Sequence, residues 1–346
     1  MSFLTSDFNL LEEAETQYVD IDGIDLTEST QINYEMEVTF ANLRESTIIA
    51  EYQMEVAAIK ESAGLALTES AREALTEKAE ESTQGFFSKA WDAIKAAWAK
   101  VKSFFSGLWD RLVSVVMGDK KWLADEKVSG VLKSFKGTVS AKVFSKVAKA
   151  DVSGLKGVVN ALPTLGNLKV GEKGLTTVNV FASDYNKNMK KVVKSVTGSE
   201  DAKGSISTAM QGFFLGKDEA EQACAVAKIY AATVSTVLPA VANIKNLNKL
   251  IMMGESQTEA AIKTAVAAAG KGEGEAKKQA NATIAQAKAA TGLYNQVLAG
   301  ATSVVGKYRS QCMGVLRSAY GQGKKSATPK KESVEFGFSL FDEAEA

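Results

Sequence analysis

Apolar positions keep helical time along most of the chain. From Phe86 to Met117, the residues Phe87, Trp91, Ile94, Trp98, Val101, Phe105, Leu108, Leu112 and Val115 recur at alternating steps of four and three. A period of 3.5 lines one face of a helix. Phe86, Phe104, Trp109 and Val116 widen that face, and a helix of this length spans about 48 Å. Val128, Leu132, Phe135, Val139, Val143 and Val147 repeat the pattern more modestly over 125–150, with lysines on the remaining faces. Upstream, 32–82 is rich in Glu, Ala, Met and Leu, contains one glycine (Gly64) and lacks proline. This predicts helix, stopped near Gly85.

Helical composition returns over 184–196 and 218–253, with a break expected before Pro239. Ser256-Gln-Thr-Glu259 has the form of a capping box opening an Ala-rich helix. Gly270 to Gly274 interrupts that helix, and a last one runs over about 275–320. The only β signal follows the glycine-rich stretch 153–174, where Leu175-Thr-Thr-Val-Asn-Val-Phe181 suits one short hairpin within 165–182. The expected fold is mainly α, an elongated multi-helix bundle with a long acidic N-terminal helical arm. Five segments follow: the arm 1–85, the aromatic and lysine-rich helices 86–150, a connector 151–183, an Ala-rich bundle 184–320, and a linker with an acidic tail 321–346.

Composition narrows the chemistry. Among 346 residues there is no histidine, so His-based catalysis, His metal ligation and a histidine pH switch are excluded. Cys224 and Cys312 stand far apart with no C-x-x-C, so neither a disulfide framework nor a thiolate metal site is expected. Gly323-Lys-Lys-Ser326 is out of register for a P-loop, and Gly270, Gly272 and Gly274 do not form a dinucleotide fingerprint. Asp20-Ile-Asp-Gly-Ile-Asp25 lacks calcium-loop spacing. The expectation is a non-enzyme with no catalytic residue, cofactor or metal. The opening residues do not form a signal peptide, and Ala225 to Ala242 carries Lys228 and Pro239, so a soluble chain is expected.

Charge changes the picture further. The formal net charge is zero, but residues 1–85 hold 19 acidic and 4 basic side chains, a net of −15. Residues 86–331 hold 37 basic and 17 acidic groups, a net of +20, and 332–346 hold five acidic groups alone. An acidic arm thus balances a basic body. That body is basic through lysine, with Arg111, Arg309 and Arg317 as its only arginines. Lysine meets phosphate as a point charge, so nucleic acid would be bound without base readout and with strong salt dependence. Lys89, Lys95, Lys100, Lys102, Lys133 and Lys136 are the candidate phosphate contacts. The aromatic stripe Phe87, Trp91, Trp98, Phe105 and Trp109 suits either packing on other helices or an interfacial membrane helix. At the two ends, Phe338-Ser-Leu-Phe-Asp-Glu-Ala-Glu345 echoes Phe8-Asn-Leu-Leu-Glu-Glu-Ala-Glu15. Phe8, Leu10, Leu11, Phe338, Leu340 and Phe341 are the anchors of candidate docking peptides.

One triplet is confined to the arm. Leu or Ile two residues before Glu occurs at 8 of the 15 glutamates in 1–85 and at none of the 13 after residue 85. These triplets resemble the sites cut by the prohead protease of large tailed bacteriophages, with Glu28, Glu51, Glu69 and Glu77 as candidate cleavage sites. The layout of acidic arm, lysine-rich helical body and aromatic-lysine segment is similar to that of phage internal head proteins. The resemblance covers about the first 120 residues, and the acidic C-terminal tail departs from it. It implies synthesis in the host cytoplasm and assembly in the procapsid with capsid and scaffold proteins. It further implies cleavage by the prohead protease and residence in the capsid interior beside packaged DNA. Two other readings remain open: a membrane-active, pore-forming or ejected effector using 86–117, and a helical scaffold that captures partners and forms oligomers.

Overall fold

The computed structural model describes residues 28, 31–42, 69–171, 178–200, 205–269 and 275–327, with side chains omitted for 69–84, 178–182 and 325–327. Helix α1 covers 31–42. Then follow α2 (Glu69–Ala124), α3 (Glu126–Ser134), β1 (Thr138–Val143), α4 (Ser145–Ala148) and α5 (Ser153–Ala161). After a 3-10 segment at Leu162–Asn167 come α6 (Val178–Thr197), α7 (Ile206–Leu215), β2 (Ala220–Ala225) and α8 (Val226–Ala232). A π turn, Thr233–Val237, leads to α9 (Leu238–Ala242), a 3-10 turn at Ile244–Leu247, α10 (Asn248–Ala269) and α11 (Glu275–Ala327). The fold is mainly α, with one two-stranded antiparallel sheet among the described residues.

The axis of the bundle is α11. Its 53 residues would extend about 80 Å at 1.5 Å per residue. Along 297–306 every side chain is buried, and α2, α3, β1, α5, α6, α7, α8 and α10 all touch this helix. A helix can be wrapped on every side only if its surface is small or apolar, and this stretch reads Val-Leu-Ala-Gly-Ala-Thr-Ser-Val-Val-Gly. Gly300 lets α7 approach closely, since a Cβ there would fall 2.4 Å from the Met210 sulfur and 3.2 Å from Ser207 Cα. Between α5 and α7 the approach is tighter still. A Cβ on Gly154 would lie 1.9 Å from the Phe214 carbonyl oxygen, so backbone meets backbone. Gly154→Ala must therefore move a helix, and is expected to cost about 1–3 kcal/mol. A urea-unfolding midpoint unchanged from the parent would contradict this contact.

The second long element, α2, buries Phe87, Ile94, Trp98, Val101, Phe105, Leu108, Trp109, Leu112 and Val116 on one side. The predicted helix stop at Gly85 does not occur. The helix runs through it, because the packed turns that follow outweigh the roughly 1 kcal/mol a mid-helix glycine costs.

Other boundaries also differ from expectation. The helix expected to continue through Val139 and Val143 gives way to β1, which pairs with β2 from Thr138↔Ala225 to Val143↔Ala220. Val139 and Val143 also satisfy the alternation of a strand, and both point inward with Cys224. The sheet is thus a long-range pair, not the hairpin expected within 165–182. Of the β-favouring run there, 178–181 opens α6, while 175–177 lie outside the described residues. The Ser256–Glu259 capping box lies inside α10, which already began at Asn248. At the far end, α11 continues to Ala327 through the segment read as a linker. The break near Pro239 is present as the π turn just before it, where proline cannot supply the amide of a regular helix.

Burial also decides the state of the two thiols. Cys224 on β2 and Cys312 on α11 are both free and buried. Desolvation pushes the Cys312 thiol up to about 12 and the Cys224 thiol upward, the latter with a smaller contribution from Glu221. A thiol that cannot ionise is a poor nucleophile. Neither is expected to react with Ellman's reagent at pH 8 in the folded chain, and both should react on unfolding in guanidinium. Prompt native labelling of either would disprove this environment.

Candidate functional site

The feature that joins the acidic arm to the basic body is α1. Its apolar residues Ile32, Met36 and Phe40 recur every four positions, which places them on one side of a helix. Two local bonds brace it: Gln31 Nε2 donates to Glu35 Oε1 at 3.1 Å, and Thr39 Oγ1 donates to the Glu35 carbonyl at 2.7 Å. Ile32 and Met36 are buried, and Phe40 packs half-buried on the core. Burying the first two contributes about 1.5–3 kcal/mol each, before the entropy of ordering the segment is subtracted.

Polar contacts set the direction of docking. Lys100 on α2 donates to Glu35, and Lys288 on α11 donates to Glu37. Asn295 Nδ2, also on α11, donates to Asn33 Oδ1 at 2.9 Å. The Lys288 ammonium also stands 5.1 Å from the centre of the Phe40 ring, a cation–π contact. The bonds from Lys100 and then Gln31 hold the Glu35 carboxyl below the usual carboxylate range. Since the folded value is the lower one, the contribution of Glu35 to docking is present above its free pKa. It fades as the pH falls through the lowered value.

The candidate phosphate contacts Lys89, Lys95, Lys100, Lys102, Lys133 and Lys136 are all exposed. Lys100 alone among them is engaged by α1. Lys95 lies 5.3 Å from the centre of the Trp91 ring, and Lys133 lies 5.9 Å from that of Tyr230.

The aromatic stripe lies largely inside the fold. Phe87, Trp98, Phe105 and Trp109 are buried, and only Trp91 is half-exposed. In this fold the four buried members pack against other helices of the same chain. The Trp109 indole N–H even finds a buried acceptor, Thr302 Oγ1, at 3.1 Å. Of the candidate cleavage positions, Glu28 is exposed, Glu69 begins α2 and Glu77 falls within it, while Glu51 lies outside the described residues. The docking anchors Phe8, Leu10, Leu11, Phe338, Leu340 and Phe341 also lie outside them.

Sequence reasoning missed a buried ion cluster. Asp119 of α2 and Arg309 of α11 are each only 2% exposed, and Arg309 Nε donates to Asp119 Oδ2 at 2.6 Å. Arg317, about two turns further along α11, reaches the other carboxylate oxygen at 3.1 Å. The available signal was the scarcity of arginine: two of the three in the body serve this one aspartate.

A shallow cleft of about 370 Å³ lies between α2 and α10, lined by Trp91, Lys95, Trp98, Glu255 and Glu259 among others. Glu259 is paired with Lys263 at 2.7 Å, which together with the charge of Lys95 keeps its carboxyl low. The cleft offers an ammonium, carboxylates and indoles but no activated nucleophile. Among the described residues, no three Cys, Asp or Glu side chains converge to hold a metal ion. One run, Val226–Ala269, is long and apolar enough to cross a membrane by length and composition, and 39% of its most apolar window is buried inside the fold.

Compared with protein families, curated proteins and solved structures, the chain matches none of them.

Proposed function

We propose that the chain is a non-enzymatic internal head protein of a large tailed bacteriophage, whose basic helical body contacts packaged DNA nonspecifically once its acidic arm has been removed. The observation that carries this reading is the docking of α1 through Glu35 and Glu37 onto Lys100 and Lys288. Helix α1 thus occupies positive positions on the body, and competes there with any other polyanion. Capsid and scaffold proteins are its partners during assembly, and the prohead protease is the processing enzyme.

Geometry separates the candidate cuts into two kinds. Cleavage after Glu28 leaves α1 attached to the body through the rest of the chain. Cleavage after Glu51, Glu69 or Glu77 severs α1 from the body and turns an intramolecular contact into a bimolecular one. Only the second kind unmasks Lys100 and Lys288. Glu69 and Glu77 sit in the first turns of α2, where helices open at low free-energy cost.

Mass spectrometry of the protein from mature particles is the direct test. The expected result is a new N-terminus following one of the three later glutamates, and intact peptides spanning 28–77 would overturn the processing step. The cut chain should also hold duplex DNA far more tightly than the intact one. Engagement of roughly five lysines implies a slope near −4.5 in log K against log salt. Equal retention by cut and uncut chains would overturn the masking step.

The membrane-active reading draws on the apolar run Val226–Ala269. It requires that run or α2 to leave the bundle first, since most of the aromatic stripe is packed inside. Leakage of anionic liposomes by the cut chain, without salt-sensitive DNA retention, would favour it.

A further inference from the structure

We propose that the seat of α1 on α2 and α11 is a docking site for the α1 helix of a second copy of this chain. The inference rests on the geometry of the seat and not on processing, so it stands even if the arm is never cut.

The contact is built to come apart without damage. Lys288 has a side chain only 13% exposed, and Asn295 is buried. Both are partnered by α1 itself, through Glu37 and Asn33. The departure of α1 removes these two contacts, and Lys288, already partly exposed, keeps its access to water. The Asp119–Arg309 pair is different, because its partners are enclosed by α2 and α11 and neither can leave alone.

Reach also permits exchange. Residues 43–68, 26 in number, join α1 to α2. At about 3.3 Å per residue such a length of chain extends at most roughly 85 Å, comparable to the length of α11. That bound does not by itself confine α1 to the seat of its own chain. The neighbour's α1 fits by construction, because it carries the same Ile32 and Met36 knobs and the same two glutamates facing the same two lysines. Exchange of an identical element between copies is a low-cost route to association.

Concentration decides which α1 wins. An intramolecular contact competes with the intermolecular one at an effective concentration of order millimolar, so dilute chains stay closed on themselves. Copies crowded to millimolar levels, or copies whose own α1 has been lost, accept the helix of a neighbour.

Full-length variants Asn33→Cys and Gly292→Cys test this, since a side chain built on the half-buried Gly292 of α11 would start 4.0 Å from the Asn33 side-chain oxygen and the native thiols are buried. A chain carrying both substitutions, treated with a short bismaleimide at micromolar concentration, is expected to cross-link within itself. A mixture of the two single variants is expected to give no heterodimer at micromolar concentration and a strong one near millimolar. Adding Glu35→Lys and Glu37→Lys to the Asn33→Cys chain should lower the heterodimer yield at least tenfold. Absence of the heterodimer at millimolar concentration, while the double variant closes on itself, would overturn the exchange. So would a product made only of Asn33→Cys chains, which would place α1 against α1. Failure of the double variant to close would remove the seat itself. None of these outcomes depends on whether the arm is cleaved in a particle.

Discussion

Replacing Asp119 with alanine is expected to cost about 3–5 kcal/mol of folding stability, a large share of what a typical domain has. The cost comes from what remains. Arg309 is enclosed by α2 and α11, so removing the carboxylate takes the Asp119 ion pair from a buried guanidinium and opens a gap beside it. Arg317 is 61% exposed and can turn back to solvent, so its loss of a partner adds little. Two controls separate this account from simple loss of packing. Arg317→Ala should shift the urea midpoint only slightly. Asp119→Leu combined with Arg309→Met should recover most of the loss, because an apolar pair of similar volume removes the need for compensation. A single Asp119→Ala variant with the parent midpoint would show that the pair is not enclosed as described.

The cluster also bears on the electrostatics of the surface. Arg309 is turned wholly inward, so the outward positive charge of the body is lysine with Arg111 and the exposed Arg317. A surface made mostly of lysine attracts polyanions without reading them, which is what the proposed nonspecific contact with DNA requires.

Helices were legible in the sequence where one periodicity stood alone. The 3.5 spacing from Phe87 to Val115 marked α2, and the Ala-rich run after Gly274 marked α11. Strands were hidden because Val139 and Val143 are four apart, which fits a helix face as well as alternate strand positions. The decision belongs to β2, whose partner residues lie some eighty positions later and whose Ala220-Glu-Gln-Ala-Cys-Ala225 carries little β signal. Conversely, Val178-Asn-Val-Phe181 favours β by propensity, yet it opens α6. Local punctuation failed at Gly85 and at Ser256–Glu259 for the same reason: tertiary packing carried the helix through. The candidate site divides similarly. Block charge announced that the arm would meet the body, and the i, i+4, i+8 apolar face of α1 was readable. Which lysines would receive it was not, because Lys100 and Lys288 lie 188 residues apart and meet only through the packing of α2 with α11.

Trp109→Ala is the second large effect and the one that separates the two uses of the aromatic stripe. Trp109 is fully buried, its ring centre 5.4 Å from that of Phe105, and its indole N–H is bonded to Thr302 on the central helix. Truncation removes the contacts of a large side chain, opens a cavity beside α11 and leaves the Thr302 hydroxyl without its donor. The sum is expected to be about 3–5 kcal/mol, read as a lowered urea midpoint with little change in slope. Trp109→Phe, which keeps most of the volume, should lose much less. Trp91 is the internal contrast: it is only half-buried, so Trp91→Ala should cost a fraction of the Trp109 change. A stripe held ready for lipid would give the reverse order, with stability insensitive to Trp109 and vesicle binding sensitive to it. The placement of Trp109 against Thr302 makes the stability loss the expected result, and any membrane contact by α2 would have to pay that loss before it began.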